Sequence, residues 1–237
     1  MNRNSSPFKW RHYAPDVILL CVRWYCRYQL SYRDVEEMMK ERGLDVDHST
    51  VFRWVQRYAP EINKRVRQHL KISGTSYRVD ETYIKVGKSC KYLYRAVDKE
   101  GQTIEFMLSA KRDVSAAKRF FKKLMRAEHR CLPFSISVDK NAAYPEAFSD
   151  AQEQRIVPRD CNLRRVKYLN NVIEQDHRFI KKKVRASQCF KSFHTAERTL
   201  EGIEAINMIR KGQVKRLAGS DAQGQATFVA SLFGIAA

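Results

Sequence analysis

The sequence predicts an α/β protein in which an all-α region precedes a mixed β-sheet flanked by helices. Three observations predict it. Apolar residues recur at helical spacing through residues 1–70, and residues 71–75 (Lys-Ile-Ser-Gly-Thr) read as a linker. From Tyr77 the pattern changes to strand-like alternation rich in Val, Ile and Tyr. At 237 residues the chain is long enough for one or two domains with a substantial core.

Val17 to Tyr28 is dense in apolar and aromatic residues and lacks Gly and Pro, which predicts a first helix. The next begins at Ser31, which can cap it, with Asp34 at N3 and Leu30 and Val35 as a hydrophobic staple. Val35, Met38 and Met39 form its inward stripe, and Gly43 suits the position just past its end. A third helix starts at Asp47 or Ser49, buries Val51, Trp54, Val55 and Tyr58, and is expected to stop before Pro60. Residues 31–59 therefore read as a helix-turn-helix. His48 stands at the start of its second helix, and Ser49, Thr50, Arg53, Gln56 and Arg57 point outward, a set able to contact base edges and phosphates in a major groove. An ordinary helical hairpin with a solvated polar face carries the same pattern.

Three strands are expected at Tyr77–Val86, Tyr92–Val97 and Thr103–Leu108, the last two joined by a turn at Asp98–Gly101. A basic amphipathic helix follows at Ser115–Ala127, then a short buried strand at Phe134–Val138 and a weaker helix over 142–154. Arg155–Val157 reads as a further strand, and helices dominate from Asn171 to Lys211. Residues 76–212 thus form the mixed-sheet domain, and 213–237 read as a C-terminal tail.

Charge narrows the partners. Lys and Arg number 45 against 26 Asp and Glu, a formal net charge of +19. With 43% hydrophobic and 11% aromatic residues the chain is no disordered polycation, so a folded protein meets a polyanion, either nucleic acid or an acidic membrane surface. Its longest apolar run, Val17–Val22, ends at Arg23, far short of the about 20 residues that span a bilayer. The six cysteines form no CxxC pair and the six histidines no HxxxH or HExxH. That excludes zinc-site spacing and fits reduced thiols used for packing in a cytoplasmic, nucleoid-associated protein.

Three carboxylates stand out by position. Asp80 lies inside a strand, where Asp is disfavoured, and Asp139 follows a short strand at its carboxyl end. Glu174 opens a helix whose same face carries His177, Arg178, Lys181 and Arg185. Each alone has a structural explanation: an edge-strand charge, a turn residue, a first-turn acid favoured by the helix dipole. Glu81 alternates to the side opposite Asp80 and reads as a bystander. Asp176 and Lys183 interrupt the apolar arc of Glu174's helix without a sequence-level reason.

Together the segments are recognisable. Asp80-Glu-Thr-Tyr-Ile-Lys-Val86, Asp139-Lys-Asn-Ala-Ala-Tyr144 and Asn170-Asn-Val-Ile-Glu-Gln-Asp-His177 resemble the three catalytic blocks of the DDE insertion-sequence transposases. Thirty-four residues separate Asp139 from Glu174, as in that group, and Lys181 holds the basic position seven residues after the glutamate. The likeness is nearest to insertion-sequence family six, bacterial elements that form cointegrates, and runs from Phe8 to about Gln213. The segment Asp47–Pro60 is similar to that family's helix-turn-helix.

The resemblance implies an RNase H-like, retroviral integrase-like catalytic domain with Asp80, Asp139 and Glu174 as catalytic and metal-binding residues. It implies two Mg²⁺ ions, for which Mn²⁺ can substitute, with Asp80 bridging both and Asp139 and Glu174 each completing one site. Paired divalent ions suit phosphodiester cleavage because they serve both the attacking and the leaving oxygen. Lys181 is implied as a DNA contact, and Arg178, Arg185, Arg164, Arg165 and Lys167 extend a phosphate-binding stripe. The expected partners are double-stranded DNA, as element ends and target, and further copies of the chain in a dimer or larger assembly, with no membrane. Two other functions keep the same residues: a catalytically inactive DNA-binding regulator, and a nuclease that cuts without joining.

Overall fold

The computed structural model describes residues 7–8, 12–166, 171–186 and 190–235. Its elements in chain order are α1 (Pro15–Arg27), α2 (Tyr32–Lys40), α3 (His48–Val66), β1 (Ser76–Val86), β2 (Ser89–Asp98), β3 (Thr103–Ser109), α4 (Val114–Leu124), β4 (Ser135–Val138), α5 (Ala143–Glu153), β5 (Asn162–Arg165), α6 (Asn171–Ala186), α7 (Phe193–Arg210) and α8 (Ala222–Ser231). They divide into two compact units. One holds residues 1–69, 186–188 and 194–237, and the other 70–185 and 189–193.

In the helical unit the expected caps form. Ser31 and Asp34 make a reciprocal capping box, and Asp47 accepts the Ser49 amide at the start of α3. Gly43, at φ 73°, donates to the Lys40 carbonyl and turns the chain out of α2. Val51, Trp54, Val55 and Tyr58 are buried as expected. Unlike the expectation, α3 runs through Pro60 to Val66. Proline leaves the carbonyl four residues back without its helical donor, and Arg198 of α7 donates to that Gln56 carbonyl through Nε at 2.6 Å. A partner distant in sequence thus satisfies the group that proline would orphan.

Helix α7 is buried around most of its circumference, including Glu204 and Asn207, so it needs neighbours on every side. It finds them in this unit. A Cβ on Gly202 would lie 2.5 Å from the Ala59 Cβ and 2.9 Å from the Cys26 sulfur, so glycine permits the approach. Sequence periodicity had placed α7 in the mixed-sheet domain. Residues expected as a tail instead contain α8, where the Ala222 carbonyl accepts from Arg23 at 3.1 Å and Gln225 pairs with Arg27.

The second unit is built on a five-stranded sheet in the order β3-β2-β1-β4-β5. The pairs β1–β2 and β2–β3 are antiparallel; β1–β4 and β4–β5 are parallel. Asp98 fixes the β2–β3 turn by accepting the amides of Glu100 and Gln102. It also accepts the Gly74 amide, so the expected linker is tied into this unit. Tyr77, Val79, Tyr94, Ala96, Ile136 and Val138 pack on one face against Phe120, Phe121, Tyr144 and Phe148 of α4 and α5. The strand expected at Arg155–Val157 is not one: Arg155 takes φ 56° in a turn, and β5 forms seven residues later. Three antiparallel strands extended by two parallel ones in the order β3-β2-β1-β4-β5, with α4 and α5 packed on one face, make the fold RNase H-like.

No helix among the described residues is long and apolar enough to cross a membrane. Of the described cysteines Cys21, Cys26 and Cys161 are buried, and none forms a disulfide among the described residues. Burial pushes the Cys21 thiol up to about 12 and Cys161 to about 11, consistent with packing rather than reactivity.

Candidate active site

Asp80 sits in central strand β1, opposite Arg95 of β2, on the sheet face away from the α4–α5 core. Asp139 is the first residue past β4, the strand parallel to β1, so the two aspartates stand on adjacent strands. Glu174 is exposed in the first turn of α6. That helix meets the Asp80 face through its two residues after Gln175: the Asp176 carboxylate pairs with Arg95 at 3.1 Å, and His177 Nδ1 lies 3.7 Å from Asp80 Oδ2. Asp176, unexplained by sequence, therefore meets an arginine that is fully buried beside Asp80.

The buried stripe of α6 is Ile173, His177, Ile180 and Val184, joined by Lys183. His177 consequently belongs to the packed side, whereas sequence spacing had grouped it with Glu174. Glu174, Arg178, Lys181 and Arg185 are exposed, as is Lys182. Burial, then the positive charges of Arg95 and Lys181, lower the His177 pKa to about 3. It stays neutral in the physiological range, so its approach to Asp80 is not an ion pair, and 3.7 Å is too long for a hydrogen bond.

Asp80 behaves in the opposite way. Burial first, then the charges of Glu81 and Asp139, raise its pKa to about 7. An acid so placed gains from a cation.

Glu81 is the residue that sequence reading undervalued. Alternation does turn it to the other face, but there it is buried and engaged: Arg112 and the Tyr144 hydroxyl donate to it, and Asn141 Nδ2 donates at 3.4 Å. Arg112 also reaches Asp139 Oδ2 at 3.2 Å, and the Asn141 amide donates to Asp139 Oδ1 at 3.0 Å. Glu81 thereby anchors the two residues that hold the Asp139 carboxylate. The sequence signal was available in one form only, a second acid directly beside Asp80; the partners come from 31, 60 and 63 residues away.

The ligand oxygens of Asp80, Asp139 and Glu174 do not all fall within 4.8 Å of one another. Among the described residues the side chains so gathered are Glu36, Asp47 and His48, at the α2–α3 turn. There the His48 amide and Nδ1 both bond Glu36, at 3.1 and 2.8 Å, so His48 is half-buried and pinned to α2. Ser49, Arg53 and Arg57 are exposed and Thr50 is half-buried. Gln56, expected to point outward, instead donates to Thr199 Oγ1 of α7 at 2.8 Å. Arg164 and Arg165 are exposed on edge strand β5, and Arg165 donates to the Lys140 carbonyl beside Asp139. Lys167 lies outside the described residues.

A family model described as a DDE domain matches residues 74–213. Fold and match together define a DDE-type polynucleotidyl transferase. The transposase for insertion sequence-like element IS431mec of Staphylococcus aureus strain Mu50 is 41% identical over 204 residues, covering 86% of this chain and 88% of that protein. The Staphylococcus aureus transposase for insertion sequence element IS257 in transposon Tn4003 is 40% identical over the same shares. The chain belongs to the DDE transposases of insertion-sequence family six. Among solved structures, the HTLV-2 integrase catalytic core domain in complex with magnesium is similar at TM-score 0.37 and 16% identity, over 46% of this chain and 68% of that one. The BIV integrase catalytic core domain is similar at TM-score 0.42 and 15% identity, over 58% and 84%.

Proposed function

We propose that this transposase binds the terminal inverted repeats of its insertion sequence through the helical unit and cuts and joins DNA at Asp80, Asp139 and Glu174. The observation that carries the catalytic reading is Asp80, a carboxylate with a pKa of about 7 on the strand next to Asp139. A buried carboxylate with two further acids beside it fits Mg²⁺, which prefers carboxylates and water to nitrogen or sulfur. Asp80 and Asp139 would hold it with Glu174. Bound divalent ions would activate a water or a DNA 3′-hydroxyl and stabilise the leaving oxygen.

The chain's own groups do the remaining work. Glu81, through Arg112 and Asn141, fixes the Asp139 carboxylate. Neutral His177 lies against Asp80 and keeps water from that side. Lys181, Arg178 and Arg185, exposed beyond Glu174 on α6, hold phosphates, and Arg164 and Arg165 extend the stripe from β5. In the helical unit Ser49, Thr50, Arg53 and Arg57 face a groove, whereas His48 supports the turn. Two element ends must be joined, so a dimer or larger assembly on DNA is the active form.

Purified protein with Mg²⁺ and a duplex carrying the element's end is expected to nick that end and join a pre-cleaved end to target DNA. Cleavage without joined product would make it a nuclease; binding without either would make it a regulator. Arg53→Ala or Arg57→Ala is expected to weaken end binding by about 1–3 kcal/mol where a guanine is read bidentately. Unchanged affinity of both variants would place recognition elsewhere.

The Asp80 pKa sets a further expectation. A carboxyl raised from 3.8 unfolded to about 7 folded contributes stability that is present below pH 4 and lost as pH rises through 7. Metal-free protein should therefore lose stability between pH 4 and 7 through this group, and Asp80→Asn should flatten that loss and raise the melting temperature at pH 8. A variant melting no higher than wild type at pH 8 in chelator would show that Asp80 ionises without strain.

A further inference from the structure

A cleft of about 790 Å³ opens in the helical unit between α3 and the first turn of α7. Its walls come from segments far apart in sequence: Thr50, Arg53 and Arg57 on α3, His12 before α1, and His194 and Arg198 on α7. Among the described residues no acidic side chain lines it, and the first turn of α7 holds no acid. The positive end of that helix adds to the field of the arginines.

The available donors are specific. Arg198 spends Nε on the Gln56 carbonyl, which fixes the guanidinium, while its terminal nitrogens have no partner among the described residues. Neither His12 nor His194 makes a hydrogen bond or ion pair among the described residues. Arg57 makes one long bond, 3.5 Å to the Pro7 carbonyl. Acceptors are present too, Gln56 Oε1 and the hydroxyls of Thr50 and Thr195, but three arginines with no carboxylate opposite them suit a phosphate, whose charge a base edge lacks. The cleft is also continuous with the exposed face of α3 through Arg53 and Arg57.

We propose that this cleft seats a phosphodiester of the duplex whose groove faces α3, with His194 and Arg198 of α7 as backbone contacts that fix the helix's register. The proposal rests on the reading that the helical unit binds DNA, and it adds a second element to that interface, with Arg198 lying 142 residues beyond Gln56 in the chain.

The test is fluorescence anisotropy of the full chain on two labelled duplexes of equal length, one bearing the element's end and one unrelated, across a salt series. The variants are His194→Glu and Arg198→Gln, the latter keeping a donor for Gln56. Lys99→Glu, on the exposed β2–β3 turn, measures the general effect of charge reversal. Each cleft variant is expected to bind both duplexes about tenfold more weakly, because a charged hydrogen bond is lost. The salt slope should become shallower by about 0.9 per lost phosphate contact. Cleft variants that behave like Lys99→Glu, or that weaken only the element's end, would overturn the proposal. Failure of wild type to bind either duplex would overturn the DNA-binding reading itself. Matched melting temperatures confirm folding, and were one cleft variant to unfold, the other decides.

Discussion

Asp80→Asn, Asp139→Asn and Glu174→Gln should each lower end cleavage and strand transfer by about 10³-fold or more while leaving end binding intact. Each substitution keeps the side-chain shape and removes one negative charge. Charge stabilisation by a bound divalent ion is worth several kcal/mol, and each 1.36 kcal/mol is tenfold in rate. Asp80 should show the largest loss, because its carboxylate is the most buried of the three and the one crowded by both Glu81 and Asp139. In the proposed function end binding rests on the exposed arginines of α3, so gel-shift affinity should not follow activity. Cleavage near the wild-type rate in any of the three would remove that residue from the site.

Glu81→Ala should cost about 2–3 kcal/mol of stability and reduce strand transfer even where the protein is fully folded. Removing one partner of a buried ion pair costs about 3–5 kcal/mol. Arg112 is a third exposed and can recover some hydration, which lowers the figure. The Tyr144 hydroxyl cannot recover: it is buried, and Glu81 is its acceptor. Losing that bond strands a donor at about 1–3 kcal/mol. Freed from Glu81, Arg112 no longer holds Asp139 Oδ2 at a fixed place. Glu81→Gln keeps an acceptor for Tyr144 and should be intermediate in both measurements. Urea denaturation and strand transfer at a temperature well below unfolding separate the effects. A wild-type denaturation midpoint for Glu81→Ala would show that the anchor carries no stability.

Much of this was legible because its signals are local. The capping box at Ser31 and Asp34 and the β2–β3 turn at Asp98 each involve residues within four positions of one another. Period-two alternation placed Asp80 and Glu81 on opposite faces, and both faces proved correct. The functional conclusion drawn from alternation failed, because facing away from Asp80 does not mean facing away from Asp139. Arg112 spans that difference from the loop before α4. Pro60 misled for a related reason: a breaker's effect depends on whether another donor reaches the orphaned carbonyl, and Arg198 does.

The sequence by itself determined most of the elements and their order, and it singled out three acids whose positions and spacing fit one family. It also carried the net charge of +19, which suits a polyanionic partner. Only the tertiary structure decided that α7 and α8 complete the helical unit, that Glu81 and Arg112 hold Asp139, that Arg95 and Asp176 form a buried pair beside Asp80, and that arginines of α3 and α7 share one basic cleft. The physical reason is the range of the forces. Helix caps, alternation and turns act over a few residues and are written in the local pattern, whereas ion pairs and buried polar contacts join residues tens to over a hundred positions apart, and their partners exist only once the chain has folded.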